Sequence, residues 1–83
     1  METKNRIIGL ALANLKNGQN GKVTAIHTKN QEKLKKLMIM GILPGVKIGL
    51  IQRFPSYVFQ VGQSQFAVDK ELAKCILVKI DKS

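Results

Sequence analysis

Leu34-Lys35-Lys36-Leu37-Met38-Ile39-Met40-Gly41-Ile42-Leu43-Pro44-Gly45 is the stretch on which the fold turns. Leu34, Leu37 and Met38 recur at i, i+3 and i+4, the spacing that gathers apolar side chains into one stripe of a helix. Lys33, Lys35 and Lys36 flank that stripe. The pattern predicts a helix over 30–40. Thr28 with Gln31 three residues on can form a capping box at its start, and Asn30 is an alternative cap. Gly41 stands where a C-terminal glycine cap belongs, and Pro44-Gly45 makes a turn that cannot continue the helix.

Outward from this helix the chain reads as short strands. Gly18 and Gly21 bracket a tight turn, and 22–27 follows as a strand with Val23 and Ala25 on one side and Thr24 and Ile26 on the other. Residues 46–52 form a second strand. Residues 58–61 and 64–68 form a hairpin, because Gly62-Gln63 suits a two-residue turn with glycine first. On it, Phe66 and Val68 can meet Phe59 and Val61 across the pair. Asp69 can cap one helical turn over 70–74, and 76–80 is a last strand with Ile76, Val78 and Ile80 on one face. Residues 10–17, with Leu10, Leu12 and Leu15, suit either a turn of helix or an extended lead-in. The sum is all-β with one short inserted helix, too small for a sandwich. A closed or nearly closed five-stranded SH3-like barrel removes most strand edges and fits the length.

The 83 residues make one domain, 1–83, with room for a single modest core. A binding module suits that size better than a catalytic cleft. The single cysteine, Cys75, has no partner in the chain, which fits a reducing compartment. The run Ile7-Ile8-Gly9-Leu10-Ala11-Leu12-Ala13 resembles a signal-peptide core, but Asn14, Lys16 and Asn17 follow at once, and its removal would cost a tiny domain a tenth of its length. The expectation is a cytoplasmic protein. No stretch approaches the roughly 20 apolar residues of a membrane span.

Reactive chemistry finds little support. Gly18-Gln19-Asn20-Gly21-Lys22-Val23 has two residues between its glycines where a phosphate loop has four, and Val23 stands where that loop holds Ser or Thr for magnesium. A hairpin turn is the better reading. His27 is the only histidine; with Cys75, Asp69 and Glu71 it makes a poor ligand set. Cys75 reads as small buried filler. No nucleophile, base and orienting group share a spacing, so neither an enzyme nor a bound cofactor or metal is expected.

The surface is more informative. The net charge is +9, from 14 Lys and Arg against 5 Asp and Glu, and this favours an acidic partner. Only two of the cations are Arg, whereas base and phosphate readout leans on Arg forks. Lys29, Lys33, Lys35 and Lys36 cluster on and before the helix, and a second group lies at 70, 74, 79 and 82. Either can steer docking; a solvated face is the plainer alternative. Phe54, Pro55 and Tyr57 share a loop that either offers a sticky patch or folds back to plug the barrel end. Met38 and Met40, near Ile39, suit either a soft groove or the core. The Leu43-Pro44 turn and the Phe54 to Tyr57 loop are the candidates for the apolar centre of an interface.

Three runs carry a resemblance. The run 15–26, Leu-Lys-Asn-Gly-Gln-Asn-Gly-Lys-Val-Thr-Ala-Ile, looks like the opening of the FeoA family. The run 34–45 resembles its most specific motif, a short basic helix ending in Gly, then a hydrophobic pair and Pro-Gly. The tail 66–78 matches the closing block, where an Ala-containing turn leads into a final strand. Together they cover roughly residues 10–80. The chain departs where it has Val68-Asp69 for a common Leu-Arg, Phe54-Pro55-Ser56-Tyr57 for a Gly-Asp-Pro-like hairpin, and Lys on the helix where Arg is common.

The resemblance implies an SH3-like barrel in the cytoplasm. It also implies an accessory role in bacterial ferrous-iron uptake, through docking on the cytoplasmic GTP-binding region of the membrane transporter FeoB. Association with the membrane would then be peripheral, through the transporter only. The same fold closes iron-dependent repressors, which carry a DNA-binding region this chain has no room for. The rival reading is a small basic SH3-like nucleic-acid-binding module. Scarce aromatics weigh against it, since stacking platforms need exposed rings.

Overall fold

The inserted helix α1 runs over Gln31–Ile39. In the computed structural model, which describes residues 9–81, Asn30 caps it: the Lys33 backbone N–H donates to Asn30 Oδ1 at 3.0 Å. Thr28 supports the cap from outside, its Oγ1 accepting the Asn30 N–H at 3.1 Å. The capping box between Thr28 and Gln31 therefore gives way to the Asn30 cap. At the other end Gly41 takes φ +85°, its N–H donates to the Met38 carbonyl, and the Ile42 N–H donates back to the Leu37 carbonyl at 3.0 Å. This pair of bonds is a Schellman motif, and its apolar clasp is Leu37 against Ile42, both fully buried.

Around the helix the chain forms six strands: β1 (Leu10–Ala11), β2 (Asn20–Ile26), β3 (Lys47–Gln52), β4 (Tyr57–Val61), β5 (Ser64–Val68) and β6 (Ile76–Ile80). A 3-10 turn, Leu12–Asn14, follows β1, and the short helix α2 (Lys70–Ala73) precedes β6. The lead-in is thus both extended and helical in succession, and its two-residue strand makes six where the sequence predicted five. The strands form one antiparallel sheet in the order β1-β6-β2-β3-β4-β5. Among the described residues no ladder joins β1 to β5. The 3-10 turn instead packs on β6 and on α2, which also touches β5. Leu12, Ala13, Leu72 and Ala73 are buried there.

Side-chain alternation mostly sets which residues fill the core. Val23, Ile48, Leu50, Phe59, Val68, Ile76 and Val78 point inward from the strands. Phe59 and Phe66 face each other across the hairpin with ring centroids 5.9 Å apart, and the turn is carried by Gly62 at φ +61°. Two bulges break the alternation. Thr24 is an extra residue on β2, its Oγ1 donating to the Leu77 carbonyl at 3.2 Å, and Ile51 is an extra residue on β3. The first bulge reverses the phase of β2, so Ile26 packs against the core rather than on the opposite face from Val23. Of the residues weighed for a signal core, Ile7 and Ile8 lie outside the described residues, as does Lys82 of the second lysine group.

Candidate partner-binding surface

No polar or charged residue among those described is buried, and the lysine and aromatic candidates lie at or near the surface. The four polar groups weighed as metal ligands are dispersed or engaged. Asp69 Oδ1 accepts the Leu72 N–H at 2.9 Å as the cap of α2. Cys75 is buried and its Sγ donates to the Glu71 carbonyl at 3.3 Å. The Glu71 carboxylate faces Lys33 Nζ at 4.0 Å, and His27 is exposed. Among the described residues no three His, Cys, Asp or Glu side chains gather in a way that would hold a metal. The Gly18 to Lys22 run is spoken for as well, and it is not the predicted hairpin turn. The turn closes at Lys16 to Gln19, where the Gln19 N–H donates to the Lys16 carbonyl and the Gly18 N–H donates to the Leu50 carbonyl at 2.7 Å. Asn20, Gly21 and Lys22 already lie in β2, which pairs with β3 and β6 rather than β1.

The structure divides the lysine cluster. Lys33 and Lys36 line a shallow cleft with Asn30, Glu32, Asp69 and Leu72, facing α2. Lys33 is only partly exposed and partnered by Glu71. Lys35 lies on the opposite flank, in an open groove of about 390 Å³ with Gln31, Leu34, Met38 and Ile39. Lys29 is exposed in the loop that leads into the helix.

The apolar candidates are also sorted. Phe54 is 86% exposed, whereas Tyr57 begins β4 opposite Val68 and packs on the core. Phe54 and Tyr57 line a wide depression of about 530 Å³ with Arg53, Ala67 and Lys70. Arg53 is tied to the body through its guanidinium, which donates to the Ala13 carbonyl at 3.2 Å. Leu43 and Pro44 are exposed beyond the Schellman motif. The helix holds what the sequence left open. Met40 turns inward against the core, while Met38 and Ile39 are 51% and 80% exposed. Of the predicted stripe, only Leu37 is fully buried.

A model of the FeoA domain matches residues 10–80 of this sequence. The chain belongs to the FeoA domain family. The FeoA domain is a non-catalytic accessory module. Among solved structures, a FeoA described as an iron uptake regulatory protein is 27% identical, with a TM-score of 0.79 over 89% of this chain and 99% of that one. A FeoA-like protein from Clostridium acetobutylicum is 24% identical, with a TM-score of 0.80 over 90% of each chain. The FeoA of Stenotrophomonas maltophilia, solved as a zinc complex and described as an SH3 domain protein, is 22% identical, with a TM-score of 0.74 over 82% of this chain and 87% of that one. This last likeness establishes the SH3-like fold. IdeR from T. acidophilum shares it too, with a TM-score of 0.86 at 16% identity, but this chain spans only 37% of that protein. No curated protein sequence matches the chain.

Proposed function

We propose that this FeoA domain is a non-enzymatic accessory protein of bacterial ferrous-iron uptake, docking in the cytoplasm on the GTP-binding region of a FeoB-type membrane transporter. The observation that carries the reading is the FeoA family match over residues 10–80. The surface supports it. A +9 chain with no polar residue buried among those described offers apolar side chains at Leu43, Phe54, Met38 and Ile39 beside exposed lysines. Such a surface suits recognition of an acidic protein face, with the charge speeding encounter and the apolar side chains holding the complex. No helix among the described residues is long and apolar enough to cross a membrane, so contact with the bilayer would come through the transporter.

A titration tests this. Labelled protein is mixed with the transporter's soluble GTP-binding region, with an RNA pool in parallel at physiological salt. Saturable binding to the GTP-binding region, with none to RNA, is the expected result. Binding to RNA alone, steeply weakened by salt, would overturn it in favour of a nucleic-acid module.

A further inference from the structure

The face of α1 that looks away from the core carries two parallel rows of side chains. Gln31, Lys35 and Ile39 form one i, i+4 row, and Leu34 and Met38 form the next. Rows at this spacing are ridges, and the groove between two of them accepts a ridge from another helix. The five residues line the open groove of about 390 Å³. Of its apolar members Leu34 is half-buried while Met38 and Ile39 are exposed; Leu37 is the fully buried residue of the helix, and Met40 packs inward beyond its last turn. Met38 and Ile39 stay in contact with water in the folded chain and leave apolar surface that a partner can cover. Burying a side chain of this size is worth roughly tenfold or more in affinity when a partner covers it.

The charge on this face selects the occupant. Lys35 projects into the groove, and among the described residues no carboxylate pairs with it. A second copy laid α1 against α1 would bring lysine rows together on chains that each carry +9. A groove between ridges also suits a protruding side chain better than a flat surface does. We infer that the Leu34, Met38 and Ile39 face of α1 seats an acidic amphipathic helix of the protein partner, with an apolar side chain between the two rows and a carboxylate on Lys35. At roughly 1.5 Å per residue the nine-residue helix is about 13 Å long, so the partner helix engages it over two to three turns. A methionine in the groove adapts its shape to the side chain that enters.

The inference rests on the docking reading and is tested so that the two fail separately. Full-length protein with labelled methionine methyls is titrated with the transporter in lipid nanodiscs, with empty anionic nanodiscs in parallel. The Met38 methyl should shift on complex formation while Met40, packed inward, stays nearly still. Ile39→Gln should weaken binding about tenfold with unchanged folding, by the loss of one apolar contact at the interface centre. Lys35→Glu should slow association at low salt. Binding without a Met38 shift, or binding insensitive to Ile39→Gln, overturns the inference while leaving docking intact. A Met38 shift on empty anionic nanodiscs replaces the protein helix with a lipid surface. No binding to the transporter overturns docking and this inference together.

Discussion

Leu37→Ala and Ile39→Ala remove apolar atoms two residues apart on one helix, yet they should behave as opposites. Leu37 is fully buried and forms the clasp of the Schellman motif with Ile42, which is equally buried. Truncating it loses the transfer energy of the deleted atoms and leaves a cavity beneath the helix, together about 2–5 kcal/mol. A domain of this length is stable by only about 4–12 kcal/mol, so the loss is a large share of the total. At roughly 4–8 °C per kcal/mol, a loss of about 3 kcal/mol lowers Tm by roughly 12–24 °C. Ile39 is 80% exposed, and alanine is the better helix former, so Ile39→Ala should stay within about 0.5 kcal/mol of the parent. Urea titrations of both variants, followed by far-UV circular dichroism, read the difference as a shift in midpoint at constant slope. Equal losses in the two variants, or a Leu37→Ala cost below about 1 kcal/mol, would refute the placement of the helix on the sheet.

Further perturbations separate backbone, cap and charge. Gly41→Ala puts a side chain into open space but at φ +85°, so its cost is purely conformational, roughly 1–2 kcal/mol by thermal melting. Gly21→Ala should cost more than that by the same melt, since its new Cβ would lie 2.3 Å from the Lys79 carbonyl oxygen in the β2–β6 ladder. Asp69→Ala removes the α2 cap and should lower stability by about 1 kcal/mol in a urea titration, with Asp69→Asn largely restoring it. Exchanging Lys29, Lys35 and Lys36 for Glu should slow association with the transporter's GTP-binding region and flatten its dependence on salt in stopped-flow mixing; rates unchanged across the salt series would remove these lysines from the encounter.

Much of this architecture was legible because punctuation is local chemistry. Gly41 must be left-handed to end the helix, Gly62 to turn the hairpin, and Asp69 needs only the N–H three residues on. What escaped the reading depends on tertiary context. Leu34, Leu37, Met38, Ile39 and Met40 make α1 apolar over so much of its circumference that periodicity alone cannot say which side meets the core. Leu37 wins because Ile42, carried back by the glycine turn, packs on it. The bulge at Thr24 adds one residue to β2 and reverses its alternation, and no residue type announces it. β1 is two residues long and exists only because β6 offers it an edge. The lysines looked like one cluster along the sequence, but the helix sends Lys33 and Lys36 toward α2 and Lys35 away from it. Gln31 was weighed only as a cap and Ile39 only as a neighbour of Met38 and Met40, because the row they share with Lys35 shows only once the inward side is known.

The most direct test of the account is equilibrium binding of the full-length protein to the FeoB-type transporter reconstituted in nanodiscs, measured against empty nanodiscs of the same lipids. Saturable binding to the loaded discs, with none to the empty ones, is the predicted result. Equal binding to both, or binding to neither across the concentration range, would contradict the proposal that this FeoA domain docks on the transporter.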